Sequence, residues 1–454
     1  MRKNKKIRLI LAMGTILLVL LVLAWFLFRV FEGENPRIAV QPLPEYLSED
    51  QSFTLKTSDM KRGLKRIQVS LSQEGREVSL LNQAFPFSGF FNREGTREYQ
   101  TEFSIDPSKL NLAQGRTDLK VQVWDHSRRG GGDGNMSMIH HKMVVDTIPP
   151  AIRALSRTHY INMGGTGLLV YQTSSDSVES GVFVNNRFFK GYPVDENSQD
   201  GYHVCYFAIA TDMKLNPEIY LWTKDRAGND SRSGFYFHIR RKRFSSEKLN
   251  ISDRFLKRVL PYFSFYNFVD ADTDVEKFLA INRKLRNENS QTYYNLRTST
   301  DPSQLWKGRW LRLKNAATMA KFGDRRQYYY KGKRIDKQIH KGVDLASLAN
   351  SKVPAANNGR VVFADRLGIY GETVVLDHGQ GLASTYSHLN KIDVELGQEV
   401  KQGDPIGTTG QTGLAGGDHL HFGVLVNGEF VNPVEWWDAH WIQDNITRKL
   451  ALVK

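Results

Sequence analysis

Three short histidine-bearing stretches hold most of the chemistry this 454-residue sequence can do. His340-Lys341-Gly342-Val343-Asp344 sets an imidazole and a carboxylate four residues apart. Tyr386-Ser387-His388-Leu389 offers another imidazole, and His419-Leu420-His421-Phe422 two more. Side chains two apart in a strand leave the same face, so His419 and His421 can address one small site without backbone distortion. His340 and Asp344 would stand about 13 Å apart in a straight strand, too far for two ligands about 2 Å from one ion. Either the segment bends sharply, which Gly342 permits, or it is helical. The single cysteine, Cys205, excludes a thiolate cage and an intrachain disulfide. Two imidazoles and a carboxylate suit a zinc that keeps one position open for water.

Other histidines read as bystanders. His378 lies in Asp377-His378-Gly379, the form of a strand-end turn, where alanine should do almost nothing. His440 and the six histidines before residue 340 read the same way.

In order and spacing, the three stretches resemble the M23 family of zinc metallopeptidases, the lysostaphin and LytM-type cell-wall hydrolases. Gly410-Gln411-Thr412-Gly413, Gly359-Arg360-Val361-Val362 and Gly403-Asp404-Pro405-Ile406-Gly407 fit the same pattern. The resemblance runs from Lys321 to Trp436. It implies a small antiparallel β domain with the site in a groove of its sheet. It also implies that His340, Asp344 and His421 ligate Zn2+ while His388 and His419 act as non-ligand catalytic histidines. None of the five departs from the pattern, which matters because the family includes members that lost ligands and merely activate other hydrolases. Many relatives have proline before the H-x-H; here Asp418 stands there, and solvation is expected for it. Tyr328, Tyr329 and Tyr330 with Lys331-Gly332-Lys333 read as a hairpin beside the first ligand, lining the groove or packing a strand.

These residues need a scaffold and a location. Leu9–Phe28 is a 20-residue uncharged run preceded by Arg2, Lys3, Lys5, Lys6 and Arg8. A helix of that length covers about 30 Å, one hydrocarbon core, and the basic flank stays cytoplasmic. A cleaved signal would carry a shorter apolar region and a small-residue site. This run ends in Trp25, Phe26 and Phe28, so an uncleaved anchor is expected. From 36 to 241 the chain alternates apolar and polar residues in short strands. A Trp…Asp…Gly-Asn pattern occurs twice, at 124–135 and 222–229, with Asp146-Thr147-Ile148-Pro149-Pro150 between the copies. The second copy, D-x-A-G-N, resembles bacterial Ig-like modules. Thr273-Asp274-Val275-Glu276 is a capping-box sequence that opens a helix.

The expected architecture is mainly β: a basic tail (1–8), a transmembrane helix (9–28), two tandem Ig-like β-sandwich modules (36–145 and 146–241), a helical connector (245–305) and a C-terminal antiparallel β metallopeptidase domain (306–440). The expected function is a single-pass, inner-membrane zinc endopeptidase acting on peptidoglycan stem peptides or cross-links, with its C-terminal domains in the periplasm or on the outside face. The alternative is a catalytically silent, wall-binding regulator of a partner hydrolase. Net charge +14 is all that favours nucleic acid, and none is expected as partner. No motif specifies a divisome or wall-remodelling partner.

Overall fold

The structure is a computed structural model that describes residues 2–195, 201–214, 216–268 and 271–453. It is mainly β. One helix, Arg2–Val30, leads the chain, and its side chains from 9 to 28 are exposed. The chain forms two compact units, residues 1–149 with 226–229 and residues 150–225 with 230–454.

The first unit holds a three-stranded sheet, Arg37–Gln41, Gln51–Ser58 and Glu98–Ile105. A five-stranded sheet in the order Tyr46–Leu47, Met136–Val145, Gly115–Asp125, Leu64–Gln73, Arg76–Ala84 completes it. Strand alternation builds one core between them: Leu119, Val121 and Val123 point inward with Phe53, Leu55 and Ile105, while Lys120 and Gln122 face out. The first Trp…Asp…Gly-Asn stretch closes a turn. Buried Asp125 accepts the backbone N–H groups of Ser127 and Asn135, and a side chain at Gly134 would strike the Asp125 carbonyl at 2.3 Å.

The second unit begins with two four-stranded sheets, which use the strands Thr166–Thr173 and Tyr202–Ala208, and Ser177–Val184 and Ile219–Asp225. Their core is continuous with that of the C-terminal domain. Buried Glu435 ties the two together, accepting from Asn162 Nδ2 at 3.0 Å and Thr166 N at 2.9 Å. The segment from 245 opens on a strand, Ser246–Ile251, rather than a helix, because it pairs parallel with Arg325–Tyr330. Helices follow at Asp253–Val259, Asp274–Ala280 and Arg286–Leu296. Thr273 and Glu276 form the capping box, and Phe278 behind it is fully buried.

The C-terminal sheet has ten strands. Its main path, antiparallel throughout, runs Ala317–Ala320, Val343–Ala346, Leu420–Val426, Leu382–Ile392, Glu372–Asp377, Gly359–Arg366, Glu399–Val400. Val343–Ala346, Leu420–Val426 and Leu382–Ile392 lie side by side, and they carry or adjoin every histidine of the three motifs.

Candidate metal centre and active-site groove

Register brings the first residues together. Asp344 sits directly opposite His421, and Ser387, just before His388, sits opposite His421 on its other side. His340 ends the hairpin strand Lys333–Ile339 and is held by the loop before it: its N–H donates to Asp324 O and its carbonyl accepts Gly323 N–H. The chain bends there and re-enters the sheet at Val343, so the His340–Asp344 segment is a bend and not a helix. Gly342 serves it by leaving room. A Cβ at that position would lie 2.6 Å from His421 Cε1 and Nε2 and from the Phe422 carbonyl.

The result is a tight triangle. His340 Nε2 lies 2.9 Å from Asp344 Oδ1 and 3.0 Å from His421 Nδ1, and His421 Nδ1 lies 2.8 Å from Asp344 Oδ1. All three residues are buried. His340 Nδ1 donates to the Lys321 carbonyl, so its Nε2 lone pair points into the triangle. Tetrahedral zinc with bonds near 2.0–2.1 Å spaces its ligand atoms about 3.3 Å apart. The observed edges come within about half an ångström of that. Three potential lone-pair atoms, His340 Nε2, Asp344 Oδ1 and His421 Nδ1, turned to one point fit a cation. Burial pushes the Asp344 carboxyl up, but His340 and His421 outweigh it and hold the group well below the usual carboxylate range. Burial pushes His421 down to about 4, into the neutral form that a metal ligand needs.

His388 and His419 stand beside the triangle, their rings 4.8 Å apart. His388 adopts φ +61°, in the left-handed region unusual for a residue with a side chain, and the strand pairing is irregular just after it. Its Nδ1 donates to Thr412 O at 2.8 Å; His419 Nδ1 donates to Gly417 O at 2.8 Å. A carbonyl can only accept, so each ring carries a proton on Nδ1, and the neutral tautomer this selects has its lone pair on Nε2. Burial, reinforced by the neighbouring imidazoles His419 and His421, lowers His388 well below the ordinary histidine value. A groove of about 650 Å³ is lined by all five motif residues, with Tyr328, Tyr370 and Arg326 among its walls.

Some expectations change. His378 does stand in the strand-end turn between Glu372–Asp377 and Leu382–Ile392, but it is no bystander there: it is fully buried, with Nδ1 on Asn358 O at 2.6 Å, Nε2 on Ser384 Oγ at 2.8 Å and the Trp310 ring 4.3 Å away. Asp418 is not simply solvated, since Oδ2 accepts Asn350 N–H and buried Oδ1 has no partner; it makes no hydrogen bond to His419. Tyr386, inside the motif, is structural, its hydroxyl accepting Ala356 N–H. Of the tyrosine run, Tyr328 packs on Phe278 and lines the groove, while Tyr330 reaches out to Asp253. Sequence reasoning missed Arg326, whose guanidinium holds the second Asp344 oxygen at 2.7 Å. It also missed the Lys321, Thr412 and Gly417 carbonyls that set the histidine tautomers. An arginine in a strand and main-chain oxygens carry no motif.

The family model described as "Peptidase family M23" matches residues 338–433, the stretch that holds all five residues. Residues 338–433 are a peptidase family M23 domain. Over 97 residues, 21% of this chain and 22% of the relative, the sequence is 37% identical to the DD-carboxypeptidase/endopeptidase Mpg of Neisseria meningitidis. Over 96 residues, 21% of this chain and 23% of the relative, it is 36% identical to the murein hydrolase activator EnvC of Escherichia coli. The matched part spans about a fifth of the length of these relatives. A solved peptidase M23 from Pseudomonas aeruginosa aligns over 60% of this chain and 94% of its own, at 22% identity and TM-score 0.37. The relatives of the M23 domain thus include both a DD-carboxypeptidase/endopeptidase and a murein hydrolase activator.

Proposed function

We propose that the chain is a membrane-anchored zinc endopeptidase that hydrolyses peptide bonds of peptidoglycan stem peptides or cross-links. One observation carries this reading. Two imidazole nitrogens and a carboxylate oxygen converge within 3.0 Å of one another, and two further histidines turn Nε2 lone pairs to the same groove. His340, Asp344 and His421 would hold the zinc, which when bound supplies an activated water and polarises the scissile carbonyl. Arg326 fixes the Asp344 carboxylate from behind. His388 and His419 move protons at Nε2. Each can take one from an attacking water, and in protonated form each can donate to the leaving amine or to a developing oxyanion.

Leu9–Phe28 anchors the chain in the inner membrane, with 1–8 cytoplasmic and the remainder in the periplasm or on the outside face. The two N-terminal β modules, Ig-like in this reading, act as a spacer. A silent regulator is the competing reading, favoured by the likeness to EnvC. Zinc content of the full chain, measured beside hydrolysis of purified sacculi, separates the two. Stoichiometric zinc with hydrolysis supports the enzyme; intact sacculi supplied with the zinc-loaded chain would leave the regulator.

A further inference from the structure

We propose that the loop Phe85–Arg93 of the first unit seats in the headgroup region of the bilayer beside the anchor helix, so the chain grips the membrane at two points. The inference rests on the reading of Leu9–Phe28 as an anchor. The loop displays aromatics outward: Phe87 is 52% exposed and Phe90 70%. Single exposed apolar residues are ordinary, but Phe90 adjoins, across Phe91, a helix that is uncharged and exposed from 9 to 28. Phe91 bridges them, its ring 5.7 Å from Trp25, 5.6 Å from Phe26 and 4.3 Å from Phe90.

That contact sets a depth. Trp25 and Phe26 precede the end of the uncharged run at Phe28 by two or three residues, about 3–5 Å at 1.5 Å per residue. Aromatic rings concentrate at that level of a membrane, where an apolar body meets the headgroups. Exposed Arg93 follows on the same loop, and Arg62 stacks on Phe87 and Phe91 at 5.6 and 5.9 Å. Arg62 is buried and donates to His126 O, so exposed Arg93 is the guanidinium that lipid phosphate oxygens suit.

The loop is also built to stay put. Phe91 and Asn92 hold φ +57° and +60°, backbone that costs energy for residues with side chains and here turns Phe90 and Phe91 outward. Fully buried Asn92 pins it, donating to Arg62 O and accepting Ser88 N–H. The unit is stitched to the helix end rather than tethered. Arg128 N–H donates to Val30 O, Arg129 Nε to Phe31 O and Ser127 Oγ to Glu32 O. Height above the membrane is therefore fixed for the loop.

Depth-resolved spin labelling of the full chain in phosphatidylethanolamine–phosphatidylglycerol vesicles tests this. Cys205 is fully buried and stays unlabelled, so Phe90→Cys, Phe87→Cys, Leu17→Cys and Ser108→Cys each give one site. Ser108 lies past the far end of the strand Glu98–Ile105, about 25 Å along it. Labels at 17, 87 and 90 should show a several-fold higher ratio of oxygen to nickel-chelate collisions than the label at 108. If 17 is in lipid while 87 and 90 are as wet as 108, the inference falls and the anchor stands. Spin–spin broadening at 90 without lipid exposure would mean a second copy covers the loop, and also overturns it. A wet label at 17 removes the anchor itself, and the inference with it.

Discussion

His378→Ala should be one of the costliest single changes in the M23 domain, although the residue touches neither the metal triangle nor the groove. The ring is fully buried and bonds Asn358 O and Ser384 Oγ. Removing it takes the donor from part-buried Asn358 O and leaves Ser384 Oγ only the Tyr386 hydroxyl, about 1–3 kcal/mol, and the emptied ring space beside Trp310 adds to that. That is a large share of the roughly 5–15 kcal/mol that holds a domain folded. A loss of that size lowers Tm by several degrees or more. The pH dependence gives a second, independent signature. Burial lowers His378 to about 4 from an ordinary value of 6.5. The unfolded chain therefore takes up this proton first, and the residue's contribution to stability falls as pH drops from 6.5 to 4. At about 1.4 kcal/mol per unit that amounts to roughly 3 kcal/mol. Glu435 works the opposite way in the same window, so only the difference between variant and wild type isolates His378. Thermal unfolding of both proteins from pH 7.5 to 4.5 should show a gap that is wide at neutral pH and narrows on acidification. A variant within 2 °C of wild type at pH 7.5, or a gap that widens on acidification, would refute the reasoning.

Asp344→Ala or His421→Ala removes one of three ligand atoms, and bound zinc and hydrolysis should fall together in paired metal and activity assays. His388→Ala and His419→Ala keep all three, so zinc should stay while turnover drops by roughly 10²–10⁴, the scale of general acid–base catalysis. Arg326→Ala frees the second Asp344 oxygen while all three ligand residues stay; competition with a chelator should show zinc bound roughly 10–100-fold more weakly. Burial raises Glu435 to about 7 from 4.5, so its buried charge costs stability as pH rises from 4.5 through 7. Glu435→Gln keeps an acceptor for Asn162 or Thr166, and its Tm should hold up better than wild type on going from pH 5 to pH 8.

How much of the site was legible follows from what a one-dimensional pattern encodes. The two-residue step of His419 and His421 translates directly into one strand face, and the five motif residues do meet at one groove. The His340–Asp344 path was not decidable, because its bend is imposed by Gly323 and Asp324, sixteen or more residues upstream. Gly342 looked like a hinge and is a clearance for His421, a contact between residues 79 apart. His378 has the local sequence of a turn, and only the Trp310 packing against it shows burial. In the fold, the capping box at Thr273 was readable because it is local. The strand at Ser246–Ile251 was not, since its partner lies some eighty residues away. The apolar core that residues 150–225 share with the C-terminal domain, with Glu435 reaching Asn162 beside it, is announced by no repeat or linker signal.

The central claim is that the five residues of the groove cut a peptide bond of the wall. Mass spectrometry of muropeptides released from defined sacculi by the zinc-loaded full chain, beside its His388→Ala variant, tests it most directly. New amine and carboxyl termini at one peptide bond should accumulate with wild type. They should be lost with the variant, which keeps its zinc. Sacculi left whole by the wild-type chain, or cut equally well by the His388→Ala variant, would contradict the account.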